Sequence, residues 1–418
     1  MRLLYTAIFY SITPFILLRL YWRGFKAPDY RLRWTERLGF YSKPSQVQNI
    51  WFHAVSVGEA EAVFPLIKQF MLNHPDAQIL ITTTTPTGSA RVKAVMGDAV
   101  EHVYLPYDIP CAIKRFLAHF KPQKAVIMET EIWPNLFTLT AKQNIPLFII
   151  NARLSANSCK GYQKIPSLVH PALAAVTLIA TQTDVDTKRF KQIADETVRV
   201  QTIGNIKFDL QIATEIIEQG QQLKSTLFAN RFVWIIASSH KDEEAVFFEL
   251  YPELKKQIPE LLLVVVPRHP ERFNDVETLA KAQNLKLIRR TSNAPCNDET
   301  DVYLADTMGE LKMLYAASNI AFVGGSLFSH LGGHNVLEPV AADIPVMFGA
   351  NMNNFKAIET GILSAQAAVQ CQDSTQLSEA LLKLYQQTEY KQQLTTNARD
   401  FLQQNQGAML NILKILDS

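Results

Sequence analysis

Between residues 50 and 205, short apolar runs alternate with amphipathic stretches of helical period. After a polar interval the same alternation restarts at residue 232. In the first series Ile50–Val55, Gln78–Thr84, Lys124–Met128, Leu147–Ile150 and Ala175–Thr181 predict buried strands, with a helix over 59–73. In the second, Phe232–Ala237, Leu261–Val266, Asp301–Leu304, Ile320–Val323 and Pro345–Phe348 do the same. Near-continuous apolar strands separated by helices predict parallel sheets covered on both faces. Residues 211–227 are polar and helix-prone, which places a linker near 205–225, and the chain from Ser374 onward predicts helix. At ~150 residues per domain, 418 residues accommodate two doubly wound α/β domains facing a cleft. Such sheets bind ligands beyond the carboxyl ends of their strands. A hinged binding protein could share that architecture, so the fold alone leaves function open.

The amino terminus stands outside this alternation. Leu3 to Leu18 carries no charge, and Pro14 interrupts it. The stretch is slightly shorter than the ~20 residues of an average spanning helix. No small-residue cleavage site follows, which argues against a signal peptide. Tyr21 and Trp22 suit a membrane interface, and the Arg/Lys cluster behind them suits the cytoplasmic side. Residues 1–43 hold eight basic and two acidic side chains, a net +6, so the rest of the chain carries −4 of the total +2. A buried core helix, or one lying flat on the membrane, is the competing reading. The division expected is therefore 1–21 as a membrane anchor, 22–210 as one α/β domain and 211–418 as the other. The four cysteines, Cys111, Cys159, Cys296 and Cys371, are scattered without a CxxC pair, which makes a zinc site unlikely and fits a reducing compartment.

Five segments at predicted strand ends carry polar chemistry. In His53-Ala-Val-Ser-Val-Gly-Glu59, Glu59 falls in the first turn of a helix, where a carboxylate can act as general base. An acidic residue there also complements the helix dipole. Glu129-Thr-Glu-Ile-Trp-Pro-Asn135 places Glu129, Glu131 and an indole at the end of a strand, as a ligand rim or as a helix start with Pro134 in its first turn. Ala237-Ser-Ser-His240, followed by Glu243 and Glu244, offers Ser239 and His240 at a helix N-terminus, suited to a phosphate or to simple capping. In Pro267-Arg-His-Pro-Glu271, Arg268, beside His269, can meet a phosphate or carboxylate through two bonds. The fifth is the most specific: Val323-Gly-Gly-Ser326, with Gly325, then Gly332-Gly-His-Asn-Val-Leu-Glu-Pro339, with His334, Asn335 and Glu338. Paired glycines allow close approach to a ligand, and Glu338 could accept ribose hydroxyls. Asp306-Thr-Met-Gly-Glu310 adds Met308, Gly309 and Glu310 at another strand end.

Six motifs in order resemble the 3-deoxy-D-manno-oct-2-ulosonic acid (Kdo) transferases of lipopolysaccharide synthesis. They are Ser-Val-Gly-Glu at 56–59, Glu-Thr-Glu-Ile-Trp-Pro-Asn at 129–135, Asn-Ala-Arg-Leu-Ser at 151–155, Gly-Asn-Ile-Lys-Phe-Asp at 204–209, Pro-Arg-His-Pro-Glu-Arg at 267–272 and Gly-Gly-His-Asn-Val-Leu-Glu-Pro at 332–339. The resemblance covers nearly the whole chain. It implies a GT-B glycosyltransferase fold, CMP-Kdo as donor and the tetraacyl lipid A precursor, lipid IVA, as acceptor. It implies an inverting transfer without a metal or other cofactor, and no nucleic-acid partner. The inner membrane is the implied location, single-pass or monotopic, with the catalytic domains on the cytoplasmic side. The family's base falls on Glu59 and its second acidic residue on Glu131, with Glu129 in the same motif. Ser239, His240, Arg268, His269, Met308, Gly309, Glu310, Gly325, Asn335 and Glu338 are expected to hold the donor, and Arg153 and Lys207 are further site candidates. Asp242 stands where many members carry glycine, and loop 326–331 is a residue longer than in many of them. Two rival functions share the features: a UDP-sugar transferase or epimerase of the same fold, and a non-catalytic, membrane-tethered binding protein that would tolerate loss of Glu59.

Overall fold

A computed structural model describes residues 1–42 and 47–417. Lys43, the last of the amino-terminal basic residues, lies outside them. The chain divides into two compact units, Met1–Asp209 with Gln406–Ser418, and Leu210–Asn405.

The first unit is built on β1 (Ile50–His53), β2 (Ile79–Thr83), β3 (Glu101–Tyr104), β4 (Lys124–Met128), β5 (Leu147–Ala152), β6 (Leu178–Thr181) and β7 (Val200–Thr202). All pairs are parallel, in the order β3-β2-β1-β4-β5-β6-β7. The period of two sends alternate side chains to opposite faces. Trp51, Ile127 and Ile149 join Phe116, Phe120 and Phe137 on one side, and Phe52, Val126 and Ile150 join Val63, Phe64 and Ile67 on the other. The second unit repeats the plan with β8 (Phe232–Ser239), β9 (Leu261–Pro267), β10 (Leu287–Arg289), β11 (Val302–Leu304), β12 (Ile320–Val323), β13 (Val346–Gly349) and β14 (Val369–Cys371). Their order is β10-β11-β9-β8-β12-β13-β14, again all parallel.

All ten strands expected from the sequence are present, and the four unexpected ones, β3, β7, β10 and β14, are the four sheet edges. An edge strand pairs on one side only, so it needs no continuous apolar run. Strand β10 (Leu-Ile-Arg) has no fully buried residue.

The second domain is shorter than the expected 211–418. It ends at Asn405, and helix Ala408–Asp417 returns to the first unit, where Ile412, Leu413 and Leu416 join the core containing Val63 and Ile67. Asp209 fixes the return: its carboxylate accepts the backbone N–H of Gly407 and of Met409, each at 2.6 Å.

The amino-terminal helix also outruns its expected end at residue 21. It spans Arg2–Lys26 with Pro14 inside. Among the described residues its Arg2–Phe25 stretch is the single segment long and apolar enough to cross a membrane. One stripe docks on the first unit. The Thr6 hydroxyl donates to Asn135 Oδ1 at 3.1 Å, Tyr5 stands against Asp108, and Thr13 and Leu20 are buried. Leu3, Leu4, Phe15, Leu18, Trp22 and Phe25 are exposed on the rest of the helix.

Candidate active site

In both sheets the strand order reverses between neighbours that leave in opposite directions, β1 and β4 in the first and β8 and β12 in the second. Loops diverge there and leave room for ligands at the carboxyl ends. Glu59, Glu129 and Glu131 follow the strands of the first reversal and His240, His334 and Glu338 those of the second, while Arg153, Lys207, Arg268 and Glu310 follow strands to either side.

At the first, helix Val57–Asn73 starts directly after β1. Ser56 caps it by accepting from Glu59 N–H, and the Glu59 carboxylate turns back. Its Oε2 accepts from Val55 N–H at 2.8 Å and its Oε1 from the Ser56 hydroxyl at 3.2 Å. This is a capping-box arrangement, so the dipole reading of Glu59 is part of the truth. The rest lies in its surroundings. Burial, with the charges of Glu129 and Glu131 adding to it, pushes the Glu59 carboxyl up to about 7 against the pull of its Val55 and Ser56 bonds.

The two other carboxylates are unlike each other. Glu129 follows β4 with φ +56°, a left-handed conformation uncommon outside glycine. It is buried and neutralised: Arg153 Nε lies 2.8 Å from one oxygen and Lys207 Nζ 4.0 Å from the other. Among the described residues no cation pairs with Glu131, and burial together with the Glu129 charge raises its pKa. Lys207 is shifted down by burial, against the pull of Glu129 and Glu59. The segments bearing Arg153 and Lys207 meet through Asn151, also left-handed at φ +51°, whose Oδ1 accepts from Ile206 N–H at 3.2 Å. Glu59, Glu129, Glu131, Arg153 and Lys207 thus form one electrostatically coupled group.

At the second place, three imidazoles and a guanidinium converge. His240 follows β8, His269 and Arg268 follow β9, and His334 lies in the loop after β12. His240 Nε2 and His334 Nε2 are 2.8 Å apart in nearly coplanar rings, and the His269 ring meets His240 edge-on at 5.5 Å. Burial first, then the neighbouring His and Arg charges, lowers His240 to about 4 and His334 to about 3. The His240–His334 pair is neutral imidazole beside an exposed Arg268 that makes no ion pair among the described residues. An anion arriving here meets the guanidinium and can draw protons onto the ring pair.

The glycine-rich segment plays a different part from the one its sequence suggests. Glu243 is fully buried and accepts four backbone N–H groups, from His240 (3.1 Å), Gly325 (2.7 Å), Ser326 (3.1 Å) and Leu327 (3.1 Å). It ties the loop after β8 to the loop after β12 and takes up these four amides. Gly325, at φ +70°, is needed because a Cβ there would stand 2.9 Å from the His334 ring. Gly333, at φ +77°, would drive a Cβ into the Met352 sulfur. Both close approaches are therefore to protein. Sequence reasoning passed over this function of Glu243, although its position three residues after His240 at a helix start was visible.

Of the remaining expected residues, Ser239 is buried and donates to Glu244, which pairs with Arg272 at 3.0 Å. Asn335 Oδ1 accepts from Leu337 N–H, opening the short helix Leu337–Ala341 that carries half-buried Glu338 beside Tyr315. Glu310 is held by Arg290 at 3.0 Å, leaving exposed Met308 and open Gly309 at the end of β11. Asp242, in the position where many Kdo transferases carry glycine, adopts φ +76° and caps no amide with its side chain.

Residues 32–210 match a family described as 3-deoxy-D-manno-octulosonic-acid transferase (kdotransferase), and residues 237–401 match glycosyl transferases group 1. The 3-deoxy-D-manno-octulosonic acid transferase of Haemophilus influenzae is 40% identical over 99% of this chain and 98% of its own. The chain belongs to the Kdo transferase family. Kdo transferases are glycosyltransferases, and the two parallel sheets with their paired switch points are the GT-B plan. A glycosyltransferase from Rickettsia africae shares that fold at TM-score 0.55, with 14% identity over 90% of this chain and 98% of that one. A UDP-GlcNAc 2-epimerase from Neisseria meningitidis does so at 0.57, with 15% identity over 88% and 100%. At such identities the likeness speaks for the fold alone, and the Kdo transferase assignment rests on the full-length relative.

Proposed function

We propose that this Kdo transferase moves Kdo from CMP-Kdo to lipid IVA, with inversion and without a metal, at the cytoplasmic face of the inner membrane. The observation that carries the mechanism is the half-buried Glu59, raised to about 7 chiefly by desolvation, with Glu129 and Glu131 adding to it. A base poised near neutrality takes the proton of an acceptor hydroxyl as its oxygen bonds to the anomeric carbon of Kdo. The bond from that carbon to the CMP phosphate oxygen breaks on the opposite face, so configuration inverts and the electron pair leaves with the phosphate. Arg268 and the His240–His334 pair are suited to receive that growing negative charge. Asn335 and Glu338 supply polar groups for the nucleoside, and Met308 with Gly309 forms its rim.

The exposed apolar face of helix Arg2–Lys26 is the membrane contact, and its docked stripe favours a monotopic arrangement over a span. A uridine-dependent enzyme of the same fold is the alternative, and nucleotide competition separates the two. CMP should inhibit transfer competitively with the donor and UMP should not. With CMP-Kdo supplied, mass spectrometry of lipid IVA should show added Kdo, and Glu59→Gln should lower the rate by about 10²–10⁴-fold. Turnover of Glu59→Gln near the wild-type rate would remove Glu59 from the base role.

A further inference from the structure

Arg37 lies in the 3-10 turn Trp34–Leu38 that follows the amino-terminal helix, and it is 4% exposed. Its Nη2 donates to the Thr84 carbonyl at 2.8 Å, while its Nε has no acceptor among the described residues. The nearest acidic neighbour in sequence, Glu36, is occupied by Arg33 and by Tyr104 N–H. Among the described residues no carboxylate pairs with Arg37. The Tyr104 ring, 4.3 Å from the guanidinium carbon, supplies only a weak counter-field. A buried guanidinium without an anion is costly to a fold.

The carbonyl that Arg37 holds belongs to the residue directly before Thr85, the N-cap of helix Pro86–Met96. That helix has eleven residues and no acidic side chain in its first turn. The Arg37 guanidinium and the positive end of this helix are thus joined through Thr84 and Thr85, and neither has an acidic partner among the described residues. Two neighbouring connections define what could arrive there. Thr84 donates through its N–H and its hydroxyl to the Val55 carbonyl, and Val55 N–H donates to Glu59. On the other side, Leu32, Trp34 and Phe40 are exposed apolar residues continuing the amino-terminal helix.

We infer that Arg37 and the N-terminus of helix Pro86–Met96 form a subsite for a phosphate group of the amphiphilic acceptor. The inference rests on the acceptor reading given above and adds to it the group that is gripped. An anion carried on a lipid fits because exposed Leu32, Trp34 and Phe40 flank Arg37 along the chain, and Thr84, which Arg37 holds, is bonded to Val55 in the segment of Glu59.

The test uses the full-length enzyme with CMP-Kdo and two acceptors, lipid IVA and lipid IVA stripped of its phosphates. Loss of a bond to a charged group is worth roughly tenfold or more. Arg37→Gln should therefore raise KM for the phosphorylated acceptor roughly tenfold, leave the donor KM unchanged, and act no worse than wild type on the stripped acceptor. Arg37→Lys, which keeps the charge but not the fork, should fall between. Equal losses on both acceptors would make Arg37 structural and overturn the subsite. Should both variants misfold, the wild type decides: its KM should rise on the stripped acceptor, and inorganic phosphate should compete with lipid IVA. Equal KM for the two acceptors would overturn the proposal. So would a variant whose only defect is weaker sedimentation with phosphatidylglycerol vesicles, since the anion would then be a bilayer headgroup. Absence of any product from wild-type enzyme would instead sink the transferase reading itself.

Discussion

Glu59 caps its helix and, in the proposed mechanism, is also the base. As a cap at the helix start it receives the Val55 and Ser56 donors, and as a half-buried acid among acids it sits at about 7. The base is the ionised form, so kcat/KM for the acceptor should rise with pH through about 7 and level off above it, about tenfold per pH unit on the acid limb. Stability should respond in the opposite sense. The folded pKa lies above the unfolded 4.5, so folding holds an extra proton between 4.5 and about 7, and stability falls as pH rises through that window. Glu59→Gln should thus melt no lower than wild type at pH 8 while losing transfer. A flat pH–rate profile, or a destabilised Gln variant at pH 8, would show that the carboxylate is there for the helix. The family motifs singled out Glu59, Glu131, Arg153 and Lys207, and the structure brings them into one electrostatically coupled group. Glu59, Glu131 and Arg153 follow strands legible from periodicity, whereas Lys207 follows β7, which was not. Glu243 and Arg37 were not legible, because their partners are backbone groups 82–84 and 47 residues away.

At the level of elements, interior strands advertised themselves as apolar runs, and edge strands did not. β7, Val-Gln-Thr, buries none of its residues fully, so no hydrophobic signal separates it from a loop. The last helix was expected as helix but in the wrong domain, since an amphipathic stripe tells that a core exists and not which one. Its docking side chains are Ile412, Leu413 and Leu416. Leu413→Ala should cost about 2–5 kcal/mol, as truncation of a buried leucine does. Hydrogen exchange locates the damage: amides of β1, β2 and β4 should exchange faster while those of β8 and β9 stay protected. Equal loosening of both sheets would contradict the division at Asn405. The Gly204-to-Asp209 motif gains a structural meaning here, because Asp209 receives the start of this helix and Lys207 reaches the carboxylate group.

Across the whole molecule the +6 of residues 1–43 adjoins its most apolar surface, while the remaining chain carries −4. Composition alone allowed the amino-terminal helix to cross the bilayer or to lie on it. Tertiary contacts argue for the second. Tyr5 and Thr6, near its start, and Leu20, near its end, all rest on or within the same unit. A span would carry Asn135 and the carboxylate of Asp108, which accepts Asn135 and Leu136 N–H at 3.1 and 2.8 Å, toward hydrocarbon. A helix lying in the interface buries its apolar face only ~5–10 Å deep, whereas a spanning one must cover ~30 Å. Nitroxide labels at Leu4, Phe15 and Trp22 should therefore report one shallow depth in anionic vesicles. A span would instead give a maximum near Phe15. Removing residues 1–21 should leave binding that fades at high salt, because the cations from Arg23 to Arg37 remain and act over ~8 Å at physiological ionic strength. A Leu3→Cys variant modified by an impermeant maleimide only from the vesicle face opposite the enzyme would establish a span and refute the in-plane helix.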